Sequence, residues 1–377
     1  MQTGLEQIRA QRLADRRVLH RRAAWVVLAI LVLFFAMCCM RTTEVGFVTP
    51  VQAAKNLYTM LRLFLAERLH WSAYANRAEI IRAHSYYFET VGMFKSTILV
   101  MVMGAVLAMA GGVFQCVFRN PIATPSMLGV SSSIRLVNLI LVALYSSSIY
   151  QMVRMRYILG YVVALGSLLL IYFIARLMGG KKSSVTDMLL VGTVAMRVVQ
   201  NLVSVYQYYY LSEEDYLVLE ELNTYGSTTY QTDALLLMYA LLLVCVLILF
   251  ALRYSMNAVS FEDEDSRTLG IKAGRLRLIA LCCATLMVTA AQINYGDIGM
   301  LALLIPHVCR YWFGSDFRNV LLGSAGLGAI MMMLCKLIIY ALSFNYYLSL
   351  ISVGTIINVV TTPLLILVLL QQKRGWT

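Results

Sequence analysis

The chain has 377 residues, of which 60% are hydrophobic and 13% charged, and its formal net charge is +12. This apolar share exceeds the roughly 45–50% of soluble domains, and apolar runs recur from residue 23 to residue 371. The composition therefore indicates one polytopic membrane unit and excludes a separate soluble catalytic domain. The eight cysteines lie mostly inside the apolar runs and predict neither a disulfide framework nor a metal site.

Ten segments are apolar over a length close to the roughly 20 residues that a membrane-spanning helix needs. They are residues 23–40, 97–116, 127–146, 156–177, 187–208, 234–253, 276–294, 298–313, 319–343 and 350–371. We therefore expect an all-α membrane protein with about ten transmembrane helices. Its transmembrane domain spans 23–371, between a basic tail at 1–22 and a short tail at 372–377.

Two further segments outside the spans are predicted to be short helices at the outer surface. Residues 51–70, within the outer loop 41–96, have apolar residues at helical spacing but also carry charges, which favours an amphipathic interfacial helix. The outer region 209–233 is acidic, and its apolar spacing predicts a helix lying at the surface.

The distribution of basic residues predicts the orientation of the chain. With an inside N-terminus, the inner segments hold nineteen lysines and arginines and the outer segments hold nine. Because basic residues collect on the cytoplasmic side, both termini are expected to be cytoplasmic. The six arginines of the tail precede an apolar run that no small-residue cleavage site follows. This run is therefore predicted to be a retained membrane anchor.

The apolar pattern breaks in "VFQCVFRNPIATPSMLGVSSSIR", residues 113–135. Asn120 and Pro121 can end one helix, Pro125 keeps the backbone extended, and Ser126 can cap the next helix. Irregular backbone near a bilayer is tolerated only where protein buries it or it faces water. The break is therefore expected to line a pathway, with helix capping alone as the alternative.

Three blocks resemble one family, the FecCD and BtuC class of permease subunits of type II ABC importers. They are "GAVLAMAGGVFQCVFRNPIATPSMLGVSSS" (104–133), a block at 266–329 that includes "YGDIGMLALLIPHVCRYWFGSDFRN", and "SVGTIINVVTTPLLILVLL" (352–370). The resemblance implies a BtuC-like fold in a bacterial cytoplasmic membrane. It also implies uptake of ferric siderophores, haem or vitamin B12.

The resemblance implies several partners besides the lipid bilayer: a second permease subunit, two cytoplasmic ATPases and an extracytoplasmic substrate-binding protein. No nucleic acid is expected. The chain contains no phosphate-cradling G-x-x-x-x-G-K-[ST] motif, since "GGKKSS" at 179–184 lacks the required first glycine. We therefore expect no enzyme activity and no cofactor in this chain, with ATP and magnesium bound by the partner ATPase.

Carried over from the family, the segment 260–277 resembles the helix that couples to the ATPase, and the alternative is a solvated inner loop. Its coupling residues are Glu264, Asp265, Arg267, Leu269, Gly270 and Ile271. The cytoplasmic gate is assigned to Asn120, Ile122, Ser183 and Ser184, and docking of the binding protein to Arg77, Arg82 and Lys95. His307 and Cys309, without a third ligand nearby, indicate packing and not a metal site.

The fifth and tenth spans line the pathway in the family. The residues that would form its polar surface are Arg197, Gln200, Asn201, Ser204, Thr355, Asn358, Thr361 and Thr362, with Arg135 from span three. Arg135, Arg197 and Lys336 depart from the family pattern, as does Ser352, which replaces a proline. A charge at the bilayer centre costs roughly 2.5–3.5 kcal/mol, so each needs a partner, a cavity or an anionic ligand. The alternative is a buried pair that only fixes helix packing.

The sequence therefore predicts a permease that moves an iron chelate, expected to be an anionic ferric siderophore, by alternating access. Haem or a cobalamin-like corrinoid is the alternative within this class. A membrane receptor or enzyme would need a convergent acid/base, nucleophile or metal set inside the membrane, and the sequence offers none.

Overall fold

The structure is a computed structural model that describes residues 2–40, 46–68, 86–145, 149–179, 185–226, 232–259, 273–342 and 351–374. These residues form twelve α-helices and one 3₁₀ helix, and the only extended pairing among them is an isolated bridge between Met40 and Phe47. The all-α prediction is confirmed.

The helices are numbered in chain order. They are α1 (Gln2–Cys38), α2 (Pro50–Arg68), α3 (Tyr87–Phe118), the 3₁₀ helix (Pro125–Leu128), α4 (Val130–Tyr145), α5 (Ile149–Gly179), α6 (Val185–Tyr210), α7 (Glu213–Thr224), α8 (Thr232–Val259), α9 (Ala273–Tyr295), α10 (Gly299–Phe313), α11 (Phe317–Leu342) and α12 (Val353–Arg374).

Each of the ten predicted spans falls on a helix. Seven helices within the described residues are long and apolar enough to cross a bilayer, namely α1, α3, α5, α6, α8, α9 and α11. The other three predicted spans correspond to α4 with 16 residues, α10 with 15 residues and the apolar part of α12. The two predicted surface helices are present as α2 and α7, while α1 extends back through the basic tail to Gln2.

One compact unit comprises residues 1–102 and 329–351. Inside it, Phe34 and Phe94 meet edge to face with ring centroids 5.5 Å apart. The Asn56 amide donates to the Thr90 hydroxyl at 3.0 Å, which joins α2 to α3. The Tyr340 hydroxyl accepts from the Gly46 N–H at 2.9 Å, so α11 fixes the chain that precedes α2.

The second unit comprises residues 103–328 and 352–377. Its core includes an apolar cluster from α4, α5, α6 and α7, with Val137, Leu141, Met152, Val203 and Leu219 among the buried members. Most of α9 is buried, including every residue from Met287 to Tyr295, and α9 packs against α8 and α5. It also packs against α4 and the 3₁₀ helix, so it forms a large part of the core of this unit.

Backbone-to-backbone packing holds α3 against α10 within this unit. A Cβ added at Gly111 would lie 1.9 Å from the carbonyl oxygen of Ala302, a distance that no side chain could occupy. Glycine at this position therefore lets two helices approach more closely than any other residue would allow.

Candidate translocation pathway and inner gate

A polar stripe on α6 is exposed in the single chain. Arg197, Asn201 and Ser204 are spaced by four and three residues, so they share one helix face, and all three are exposed. Gln200, beside them, is half-buried. Arg197 has no ion-pair partner among the described residues.

A second polar stripe lies on α12. Thr355, Asn358 and Thr362 are exposed and follow one another at helical spacing. The Thr362 hydroxyl donates to the Asn358 carbonyl of its own helix at 2.7 Å. Thr361 is fully buried instead, so the structure places it away from this stripe.

Ser352 begins α12 as a helix cap. Its side-chain oxygen accepts the Thr355 backbone N–H at 3.1 Å, the contact expected of an N-cap serine. Ser352 therefore defines the start of this helix.

Arg135 and Lys336 are the two other charged residues that depart from the family pattern, and they are far apart in the sequence. Arg135 on α4 is exposed and lines a small crevice of about 10 Å³ together with Asn138, Asn223 and Asp297. Lys336 is half-buried on α11, in the other unit. Neither has an ion-pair partner among the described residues.

A buried arginine that sequence reasoning missed lies close to Arg135. Arg156 on α5 is 1% exposed, and its Nε donates to the Asn138 Oδ1 at 2.8 Å. Its Nη2 donates to the Leu222 carbonyl at 2.8 Å, and the Asn138 amide donates to the Asn223 Oδ1 at 2.8 Å. The guanidinium thus stabilises the C-terminal turn of α7, where the helix dipole is negative.

The chain between α3 and α4 forms a compact turn and not a free loop. The Asn120 side chain accepts the Ile122 N–H at 3.0 Å, and the Asn120 carbonyl accepts the Ala123 N–H at 3.0 Å. Ile122 remains 48% exposed. The predicted cap at Ser126 is wrong, because Ser126 lies inside the 3₁₀ helix and Thr124 occupies the cap position.

The 3₁₀ helix packs directly against α6. A Cβ added at Gly192 would lie 2.4 Å from the Met127 carbonyl oxygen, so α6 meets this turn through backbone atoms. The gate candidates Asn120 and Ile122 lie only a few residues before Met127. The contact of Met127 with Gly192 therefore links the gate turn to α6, the helix that carries the Arg197 stripe. The opposite gate candidates, Ser183 and Ser184, lie outside the described residues.

Several other predicted site residues also lie outside the described residues. These are the docking residues Arg77 and Arg82 and the coupling residues Glu264, Asp265, Arg267, Leu269, Gly270 and Ile271. Lys95 is described and is exposed on α3. The last residues of the predicted coupling segment, 273–277, form the first turn of α9.

A cavity of about 270 Å³ lies beside the gate turn. Its lining includes Arg119, Asn257, His307 and Arg310. The Arg310 guanidinium donates to the Gln115 Oε1 at 2.5 Å, and the Gln115 amide donates to the Leu303 carbonyl at 3.0 Å. No group of three or more metal-ligating side chains occurs within the part of the chain that the structure describes.

Comparisons with known proteins extend these observations. The sequence model of the FecCD transport family matches residues 70–371. The probable iron chelatin transport system permease protein of Helicobacter pylori is 30% identical over 241 residues, which cover 64% of this chain and 71% of the relative. The Fe(3+) dicitrate transport system permease protein FecC of Escherichia coli is 28% identical over 291 residues, covering 74% and 81% of the two chains.

Among solved structures, a similar chain comes from an inward-facing conformation of an ABC transporter assigned to the metal-chelate type. The TM-score is 0.72 at 20% sequence identity, and the match covers 93% of this chain and 99% of the solved one. At this identity the likeness shows a shared fold.

Proposed function

Because the chain belongs to the FecCD transport family, we propose that it carries an anionic ferric chelate across the cytoplasmic membrane as the permease subunit of an ABC importer. Family membership makes it a transport permease and not an enzyme. The cargo, the pairing of subunits and the transport cycle are the parts of the proposal that go beyond the family.

The exposed stripe of α6 carries the proposal for the cargo. Arg197 lies about ten residues into its span, near 15 Å deep, too far from either surface to reach water easily. In a passage of low dielectric constant, its positive charge would offset the negative charge of a ferric catecholate or carboxylate chelate. A neutral or cationic chelate would gain nothing from the same residue.

The exposed faces of α6 and α12 also support a pathway completed by a second permease subunit. On both helices the polar stripe lies at the surface of the single chain beside exposed apolar residues, and contact of its polar groups with lipid would be costly. We propose that a second subunit encloses them, and that two cytoplasmic ATPases binding ATP and magnesium drive the pair between outward-open and inward-open states. A substrate-binding protein would deliver the cargo from outside.

Haem is a second candidate cargo, favoured by one observation. At the end of the Arg197 stripe, a surface opening is lined by Tyr208, Leu211, Tyr216 and Leu217. Aromatic rings present flat faces that stack on planar ligands. Haem combines a planar ring with propionates, so the tyrosines and Arg197 would both contribute to its passage.

The proposal is tested by uptake into proteoliposomes that contain the permease with its cognate ATPases and binding protein. Uptake of two ferric chelates that differ in net charge, an anionic catecholate and a neutral hydroxamate, is compared in the parent and in Arg197→Ala. We expect the variant to lower uptake of the anionic chelate by roughly tenfold, equivalent to about 1.4 kcal/mol. Uptake of the neutral chelate should fall less.

Two controls accompany this comparison. Arg197→Lys keeps the charge and should retain most of the preference for the anionic chelate. Arg154→Ala removes another exposed arginine, at the beginning of α5, and should leave the preference unchanged. An unchanged ratio of the two chelates in Arg197→Ala would refute the proposed anionic cargo. Equal uptake of haem and the ferric catecholate would favour the second candidate.

A further inference from the structure

One backbone carbonyl accepts hydrogen bonds from two arginines that belong to different elements. Val259 is the last residue of α8, and its carbonyl accepts from the Nε and Nη2 of Arg119, each at 3.4 Å. The Nη2 of Arg277, on α9, donates to the same oxygen at 3.4 Å. Val259 itself is fully buried.

The electrostatics of this contact are favourable. The carbonyls at the C-terminal end of a helix carry a partial negative charge and lack partners within the helix. Two guanidinium groups at the end of α8 satisfy one of these carbonyls. A second contact lies one turn earlier, where the Cys116 thiol donates to the Met256 carbonyl at 3.4 Å. The ends of α3 and α8 are therefore fastened at two points.

The backbone of Arg119 shows that this residue also shapes the gate turn. Its φ is +50°, in the left-handed region that residues with a Cβ adopt only at a cost in energy. Arg119 follows the end of α3 directly and precedes Asn120, whose side chain closes the turn to Ile122. One residue thus sets the direction of the gate turn and binds the end of α8.

The three elements that meet at this carbonyl differ in the role assigned to them. Arg119 borders the gate candidates Asn120 and Ile122. Val259 immediately precedes the segment 260–277 assigned to ATPase coupling, and Arg277 is its final residue. A displacement of the α8 end would therefore act directly on the residue that begins the gate turn.

We propose that Arg119 is a positioning residue that couples the cytoplasmic end of α8 to the inner gate turn through the Val259 carbonyl. This inference rests on the proposed function, because it assumes an ATP-driven permease. The alternative is that Arg119 only caps α8 and supports folding, in which case its loss would weaken the assembly without separating ATP hydrolysis from gate motion.

The test uses the whole complex in nanodiscs, with Ile122→Cys as a reporter of the gate. A water-soluble maleimide modifies the cysteine at position 122, and the rate is measured with and without MgATP. Mass spectrometry distinguishes this position from the native cysteines. ATP hydrolysis is measured on the same preparations. The comparison is made in the parent background, in Arg119→Gln and in Arg119→Lys.

In Arg119→Gln we expect the ATP-dependent change in modification rate to fall by at least about fivefold, within the range of measured coupling energies between sites. ATP hydrolysis by the partner subunits should continue at a rate close to that of the parent. Arg119→Lys retains the charge and one donor and should restore part of the change. Arg253→Gln is the matched control, since Arg253 donates to the Phe250 carbonyl of its own helix at 2.6 Å.

Retention of the full ATP-dependent change in Arg119→Gln would overturn the inference. A parallel fall of hydrolysis, assembly and modification rate in both Arg119 variants would also overturn it, because only a structural role predicts that result. If Arg119→Gln does not assemble, Arg119→Lys makes the same comparison. Absence of any ATP-dependent change in the parent reporter would contradict the proposed function itself, whatever Arg119 does.

Discussion

The Arg156 guanidinium donates to the Leu222 carbonyl at 2.8 Å, so a buried cation on α5 holds the last turn of the surface helix α7. The first turn of α7 contains Glu213, Glu214 and Asp215. Acids at the N-terminus and a cation at the C-terminus both complement the helix dipole. The short helix is thus stabilised at both ends although it has only 12 residues.

Replacing Arg156 should destabilise the protein markedly. In Arg156→Ala the Leu222 carbonyl and the Asn138 side chain each lose a buried donor, at a cost of about 1–3 kcal/mol for each group. The free energy of unfolding, measured in detergent, should fall by at least about 2 kcal/mol. Arg154→Ala is the control, because Arg154 is exposed on the same helix. Equal losses in the two variants would contradict the role of Arg156.

Gly192 should tolerate no side chain. In Gly192→Ala the new Cβ meets the Met127 carbonyl oxygen at 2.4 Å, so α6 or the 3₁₀ helix must move. We expect a loss of about 1–3 kcal/mol in stability and a lower transport rate. Gly166→Ala on α5 provides the contrast, because no atom lies within 4 Å of its added Cβ. The better helix propensity of alanine should leave that variant as stable as the parent or stabler.

The connection between α10 and α11 should make stability depend on pH. Asp316 binds Arg318 in an ion pair, and the Asn257 amide donates to its Oδ1 at 3.0 Å. The Arg318 guanidinium, with the Asn257 amide, holds the pKa of the Asp316 carboxyl well below its usual range. Because the folded-state pKa is lowered, this stabilisation is present at neutral pH and is lost as the pH falls below about 4.

Asp316→Asn should therefore be less stable than the parent at pH 7, and the difference should shrink in acid. Thermal unfolding in detergent across this pH range measures it. Glu220→Gln is the matched control, since Glu220 is exposed and its carboxylate makes no hydrogen bond or ion pair within the described residues. A constant difference between Asp316→Asn and the parent at every pH would argue against the ion pair.

Replacement of the coupling segment should separate insertion from transport. Residues 263–275 lie outside every predicted span, so a protein with a flexible glycine and serine linker in their place should still insert. Substrate-stimulated ATP hydrolysis in the assembled complex should disappear. Uptake and ATPase assays on purified complexes measure both effects. Unchanged transport would exclude a coupling role for this segment.

Charge reversal of the docking residues should slow association with the binding protein. Surface charges contribute little to affinity singly but steer encounter, and salt screens this effect. With Arg77, Arg82 and Lys95 reversed together, the association rate should fall more at low salt than at high salt. Stopped-flow mixing measures the rate. A decrease that is independent of salt would indicate misfolding.

The sequence predicted the helices well because apolar runs of spanning length constrain the backbone strongly. Boundaries were less accurate where polar residues continue a helix. The third helix starts at Tyr87 and not at 97, and the first extends through a tail that is rich in arginine. In both cases, the hydropathy of a segment indicates where it meets lipid but not where its hydrogen bonding ends.

Contacts between residues distant in sequence could not be predicted. The topology prediction included Arg156 among the nine basic residues of the outer segments. No residue near it in the sequence indicates that its guanidinium would contact Asn138 and Leu222. Local signals were also ambiguous: Ser126 has the residue type of a cap but lies within a 3₁₀ turn, whereas Ser352, of the same residue type, does cap its helix. Only the folded backbone distinguishes the two serines.

The exposure of Arg197 on the single chain bears on how long an unassembled copy survives. A guanidinium that faces lipid near the bilayer centre costs roughly 2.5–3.5 kcal/mol, and this penalty persists until another surface covers the α6 stripe. On the proposal that a second subunit covers this stripe, a newly inserted copy without it should be less stable and more open to membrane proteases. The abundance of this chain in the cell should then follow the supply of that second subunit.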